Sequence, residues 1–476
     1  MIELLAETSR DQKIIDALMK ASKWKDKKIA DLEEKLEKER KKDEEYKKRH
    51  PSNIGVKNDK AYEIKPEILP QPGERKKPGQ KKGHKGFFRK YPERIDQLVK
   101  VPIHRCPNCS SMLSNVQEIR ERAIEDIPVP KPVVTKYRIE RRYCKSCKIM
   151  VESPVDDALP NARLSIRAML TVAYLKIGMG MSGENVSDAM MNLFGIAISE
   201  GEVDNILKLL TEAFGHKYAD LLQAIRDATY RHMDSTSWRN DGKNENLWTF
   251  VTRGEAIFRI SKSNGHDVPL EVLGEHTGTD IHDRHSAFET LAKKTGNDQQ
   301  YCWSHIICDA KELKKFHGND GNRILRSLKR VYREAKAFEG HGTVEDLEKL
   351  HHRLIFLIDS DYDHRDCRSF VDNLLKRKKE WLFKFVTDPD VEPTNNRAER
   401  ALRPSVMYRK RNGGTRSESG DRVYERIYSL HYTSKLKKSC ILADGPPEIK
   451  EWMDRNRRKK MEERLNRSGK TKGQAS

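Results

Sequence analysis

The sequence predicts a multidomain α+β chain. A charged leading helix is followed by a small cysteine-bearing module, a helical region, and an α/β core that a block of helices interrupts. Three observations predict this. Four of the eight cysteines fall in two C-x-x-C pairs, Cys106/Cys109 and Cys144/Cys147. Two short apolar runs end on aspartates, Asp234 and Asp283, and turn signals at Asp241-Gly242 and Arg253-Gly254-Glu255 follow the first. Amphipathic helical sequence then fills about 304–390, ahead of a further helix carrying Glu399.

Length and charge bound the answer. At 476 residues the chain exceeds one ordinary domain. Lys and Arg number 93 against 73 acids, a formal charge of +20. That balance predicts a polyanionic partner, most simply DNA or RNA, set against the plainer reading of a solvated basic surface. No run of about 18 apolar residues occurs, so no membrane span is expected. The N-terminus lacks the apolar core and cleavage site of a secretory signal, so a cytoplasmic, nucleoid-associated protein is expected.

In chain order, residues 1–50 read as a coiled-coil helix. Ile14, Leu18 and Ala21, then Ile29, Leu32 and Leu36, form sparse apolar stripes, against the alternative of a single solvated helix. Residues 51–95 form a Pro-, Gly- and Lys-rich linker without periodicity. Its cations Arg75, Lys76, Lys77, Lys81, Lys82 and Lys85 are dense enough to track a phosphate backbone. Residues 96–155 carry the cysteine pairs, separated by 34 residues, with "PVVTKYRIERRY" expected as a strand into the second pair. Four thiolates make a closed tetrahedral Zn²⁺ site, which is structural because no position stays open for water.

Residues 156–225 are helical. Ser199 with Glu202 matches a capping box, and the turn at Gly195-Ile196 before it is compatible with a helix-turn-helix. Glu200, Glu202 and Asp204 at the start of the last helix would repel phosphates, which favours packing beneath the core over reading DNA.

The core takes in 226–303 and 391–440. Its first three strands form a meander with Asp234 on the first, and a fourth strand leads to Asp283. Glu399 completes the set from a helix starting at Pro393-Thr394-Asn395-Asn396, where Thr394 or an Asn is the expected cap. Two aspartates at strand ends and a later helical glutamate are the pattern of a ribonuclease-H-like phosphoryl-transfer site. Its hard oxygen ligands hold two Mg²⁺ (or Mn²⁺) ions, one activating the attacking hydroxyl and one stabilising the leaving oxygen. Asp283 and Glu399 stand 116 positions apart, too far for a simple loop, so 304–390 is read as a helical insertion. Arg397, Arg400, Arg403, Arg409, Lys410, Arg411 and Arg416 surround the glutamate, as expected where a polyanion shares the site. Cys302 and His305 form a C-x-x-H pair at a helix start, where His305 is read as contacting DNA or orienting the site, against the alternatives of a buried packing role and, with Cys308, of metal binding. Residues 441–476 read as a basic C-terminal tail.

The segments "MDSTSWRNDGKNENLWTFV", "IHDRHSAF", "YCWSH" and "PTNNRAERALRP…RKRNGGTRSESG" resemble successive signatures of the insertion-sequence-66 family of DDE transposases. The likeness runs from the N-terminal helix to about residue 440. One departure is Ser235, where the family usually carries an acid that is not one of the three ligands. The resemblance implies catalytic Asp234, Asp283 and Glu399, binding to double-stranded DNA at the element's ends and at the target, hydrolysis and then strand transfer. It also implies a homodimer or higher assembly and small accessory proteins. Two rival readings stand beside it: a zinc-ribbon DNA-binding or regulatory protein with an inactive core, and a nuclease of the same fold that never joins strands.

Overall fold

The computed structural model describes residues 91–127, 131–377 and 379–470, together with position 37. The expected coiled coil, apart from that position, and the linker cations Arg75 to Lys85 lie outside the described residues.

Among the described residues the cysteine module contains an antiparallel strand pair, β1 (Arg141–Cys144) and β2 (Ile149–Glu152), and an antiparallel bridge between Arg105 and Met112. The strand expected over 132–143 is therefore reduced to its last residues. Val133 and Val134 are exposed and pair with nothing that would hold an extended segment in a ladder.

A helical layer follows: α1 (Ile166–Ala173), continued by a π-turn over Tyr174–Gly178, then α2 (Gly183–Phe194), α3 (Glu200–Ala213) and α4 (Gly215–Arg226). Ser199 caps α3, its hydroxyl accepting from Glu202 N at 3.2 Å. Val203, Ile206, Leu207 and Leu210 of α3 are buried, so its apolar stripe faces the interior.

The central sheet holds β3 (Tyr230–Asn240), β4 (Lys243–Val251), β5 (Ala256–Ser261), β6 (Thr279–His282) and β7 (Asp298–Tyr301), with α5 (Asp267–Leu273) and α6 (Ser286–Thr295) as crossovers. Strand order is β5-β4-β3-β6-β7. The first three strands are the expected antiparallel meander, and β6 and β7 run parallel to β3. The first hairpin turns at Asp241-Gly242, where both residues have positive φ (48° and 74°), the backbone a two-residue hairpin of right-handed twist requires.

Helices α7 (Trp303–Lys336, broken at His317–Gly318), α8 (Val344–Ile358), α9 (Arg365–Leu375) and α10 (Lys379–Thr387) come next. Their apolar faces form one cluster with Tyr230, Ile281 and Tyr301 of the sheet, and α10 packs on β7. The chain returns as α11 (Asn396–Asn412) against β3 and β4, and as α12 (Glu418–Leu436) against β5. The stretch read as a basic tail is instead helical over α13 (Ile441–Lys470), because Ile441, Ile449 and Met453 recur on one face and bury it against α1 and α3. A second cluster unites α1–α4, α11–α13 and the β3–β5 meander, so the 166–226 helices share their core with the sheet.

Candidate active site

β3 and β6 are adjacent and parallel, with His232 opposite Ile281. Continuing that register by two residues sets Asp234 level with Asp283, where the chain leaves β6. Asp283 Oδ1 accepts from His285 N at 3.0 Å, and Asp234 Oδ1 from Ser235 N at 2.8 Å, which orients each carboxyl. Glu399 lies in the first turn of α11, on the helix that crosses β3.

Asp234 feels the charge of the other two acids. Burial, then the Asp283 charge, push the Asp234 carboxyl up to about 8, and Glu399 adds to the rise. The Ser235 amide and His305 oppose it. Such a group is short of positive charge at neutral pH, the electrostatic condition that a cation relieves.

One residue ties these parts together. Asn395 is fully buried at the N-cap position of α11, yet it caps nothing. Its Nδ2 donates to Met233 O at 2.8 Å, so its Oδ1 is the acceptor for His232 Nδ1 at 3.2 Å. Its backbone N donates to Cys302 Sγ at 3.0 Å, and Cys302 N in turn donates to His282 O at 2.9 Å. The end of β6, the start of α7, β3 just before Asp234 and the start of α11 thus meet at Asn395 and Cys302. Burial holds the His232 imidazole down at about 4, hence neutral and able to keep this one tautomer. Sequence reasoning missed Asn395 and His232. An Asn ahead of a helix is most simply read as a cap, and nothing local says that its amide turns toward a distant strand.

The C-x-x-H pair stands at the same place. Cys302 precedes α7, and His305, a turn in, has Nδ1 3.6 Å from Glu399 Oε1. Cys302 beside it, then Asp283 and Glu399, raise the His305 imidazole to about 9 against the opposing effect of burial. Among the described residues, Cys302, His305 and Glu399 form a tight cluster of ligand atoms, all within 4.8 Å of one another, and neither Asp234 nor Asp283 belongs to such a cluster of three. Cys308 is exposed and does not join it.

The expected cations divide. Arg397 is bonded to Glu392, and Arg409 donates to Ser237 O and Oγ, so both are engaged within the chain. Arg400, Arg403, Lys410, Arg411 and Arg416 are exposed along α11 and the loop after it.

In the cysteine module each pair closes a tight turn. Ser110 N donates to Cys106 O at 2.8 Å, and Cys147 N to Cys144 Sγ at 3.4 Å. Ser110 and Lys148, each directly after a second cysteine, share a left-handed φ of 59° and 55°. Two knuckles of matching backbone, with Cys109 and Cys144 both held below the usual thiol range by local hydrogen bonds, fit thiolate ligands. The structure brings each pair together but does not gather all four sulfurs into one cluster.

Fold and site define a class: an α/β protein with acids from two adjacent parallel strands and a third from a helix clamped over them. Family comparison narrows it. Residues 163–422, just over half the chain, match the model "Transposase IS66 family", and residues 104–148 match "zinc-finger binding domain of transposase IS66". The chain belongs to the IS66 family of transposases. No curated protein matches it. No helix among the described residues is long and apolar enough to cross a membrane.

Proposed function

We propose that this transposase cleaves DNA at the ends of its element and joins the freed 3′-hydroxyl to a target, using Asp234, Asp283 and Glu399 in a ribonuclease-H-like core. The observation that carries the reading is the register of β3 and β6, which levels the two aspartates beneath the helix bearing Glu399. The strand order, a three-strand meander extended by two parallel strands, supports that core assignment. The three carboxylates suit hard divalent cations, Mg²⁺ or Mn²⁺, and would hold two of them. When bound, such ions supply Lewis-acid activation of the attacking oxygen and stabilise the leaving one.

The chain's own residues do the rest. Asn395 fixes the start of α11 against β3, which sets Glu399 relative to Asp234. Protonated His305 offsets part of the acidic charge at the site. Arg400, Arg403, Lys410, Arg411 and Arg416 line the approach and contact phosphates without reading bases. The linker cations Arg75, Lys76, Lys77, Lys81, Lys82 and Lys85 add non-specific affinity. Cys106, Cys109, Cys144 and Cys147 would hold one structural Zn²⁺ that orders a module for end recognition. Residues 1–50 would pair subunits into a homodimer or higher assembly.

Glu399→Gln keeps the shape of the side chain and removes its charge. Cleavage of a DNA end should vanish while binding to that DNA stays at the wild-type level. Full cleavage by the variant would remove Glu399 from the machinery.

A further inference from the structure

We propose that Cys302, His305 and Glu399 form a binding site for a borderline-soft divalent cation of the zinc class, overlapping the hard-cation site through the shared glutamate. The donor set is the first argument. One sulfur, one imidazole nitrogen and one carboxylate oxygen are poor partners for Mg²⁺ but match the ligands zinc prefers.

Spacing is the second argument. His305 Nδ1 and Glu399 Oε1 stand 3.6 Å apart, beyond the roughly 2.7–3.2 Å of a hydrogen bond. A tetrahedral ion with bonds of about 2.0–2.3 Å separates its ligand atoms by about 3.3–3.8 Å, and 3.6 Å falls within that span. All three ligand atoms lie within 4.8 Å of one another.

The state of the donors is the third. The Nδ1 atom of His305 is buried without a hydrogen-bond partner, and an ion bound there takes the place of the proton that the imidazole otherwise carries. Cys302 is 1% exposed, and its sulfur is steered by Asn395 N at 3.0 Å and Ser304 Oγ at 2.8 Å. Cys302 at the N-cap of α7 and His305 in its first turn are three positions apart, and Glu399 approaches them from α11. Three protein ligands leave a fourth position open, the coordination of an exchangeable ion rather than a closed structural one.

An ion here occupies Glu399 and withdraws it from the hard-cation set. Zinc therefore inhibits, and raising Mg²⁺ restores activity. This competition rests on the role given to Glu399 above, whereas the binding itself does not.

The test uses the full chain, with Cys302→Ser and His305→Asn compared to wild type. Zinc bound at equilibrium, measured by dialysis against a fixed concentration of free zinc, should be about one equivalent lower in each variant. Cobalt-loaded wild type should show thiolate-to-metal charge transfer beyond that of the cysteine knuckles, and Cys302→Ser should lose that excess. Zinc affinity at this site should weaken by at least about tenfold in either variant. Equal stoichiometry and superimposable cobalt spectra in folded variants would overturn the proposal and leave a simple His305–Glu399 ion pair. His305→Asn decides the matter if Cys302→Ser does not fold, because the His305 side chain is about a third exposed (32%) whereas Cys302 is 1% exposed. A failure of the catalytic reading would appear in cleavage assays alone and leave the stoichiometry untouched.

Discussion

Asn395 shows how one buried amide controls a site it never enters. Its removal in Asn395→Ala strands Met233 O and His232 Nδ1, at a cost of about 1–3 kcal/mol. It also frees the start of α11. The cleavage rate should fall on the order of 10²-fold with DNA affinity unchanged, since a small misplacement of Glu399 is felt in the reaction and not in phosphate contacts. Equal losses in rate and affinity would mean that Asn395 supports the fold only. Glu425 offers a pH test at the same scale. It is 3% exposed, accepts from Ile260 N at 2.7 Å, and burial raises it to about 7 despite Arg259. The folded chain therefore holds this proton more tightly than the unfolded one, so stability falls as pH rises from about 4.5 to 7 and the cost is fully present above. Glu425→Gln lacks that slope. Its Tm relative to wild type should be higher at pH 8 than at pH 5, and a difference that does not vary with pH would contradict the assignment.

Among the elements, the loop after α11 is the most tightly specified. Gly414 has φ +84°, and a Cβ there would run into the Arg239 carbonyl oxygen. Thr415 pairs with Asn240 as a β-bridge, accepts from Trp238 Nε1 at 3.0 Å and donates to Asp421, which also accepts from Asn240 Nδ2 at 2.5 Å. The loop thus closes the far end of β3 and presents Arg416. Gly414→Ala should lower Tm through backbone strain of about 1–3 kcal/mol and weaken DNA binding, as thermal melts and binding isotherms would show. Unchanged stability would mean that the loop is not clamped as described. The meander was legible in the sequence because Asp241-Gly242 demands a particular turn chemistry between alternating apolar runs. The C-terminal helix was not, since Pro446-Pro447 and a run of cations hide three apolar positions at helical spacing. The three acids were legible as residue types. The clamp that positions one of them depends on contacts more than 90 positions apart, which no local pattern encodes.

At the scale of the whole molecule, the sheet serves two cores. The insertion helices pack around Tyr230, Ile281 and Tyr301, while the 166–226 helices and α11–α13 pack on the meander. The site lies where the two meet, at the end of β6, the starts of α7 and α11, and the middle of β3, which runs on six residues past Asp234 rather than ending there as the sequence suggested. Asp234 and Glu399 are thereby borne by elements anchored in packed cores, and Asp283 directly follows one, as a preorganised site requires. Cations outside the site then set affinity, so end binding should weaken steeply with salt while the metal dependence of cleavage stays with the acids. The most direct measurement is Mg²⁺-dependent cleavage of a DNA fragment carrying the element's own end, by wild type and by Asp234→Ala. The predicted result is cleavage by wild type that requires the divalent ion and is lost in the variant, with DNA binding intact in both. Cleavage by Asp234→Ala at the wild-type rate would contradict the assignment of the site.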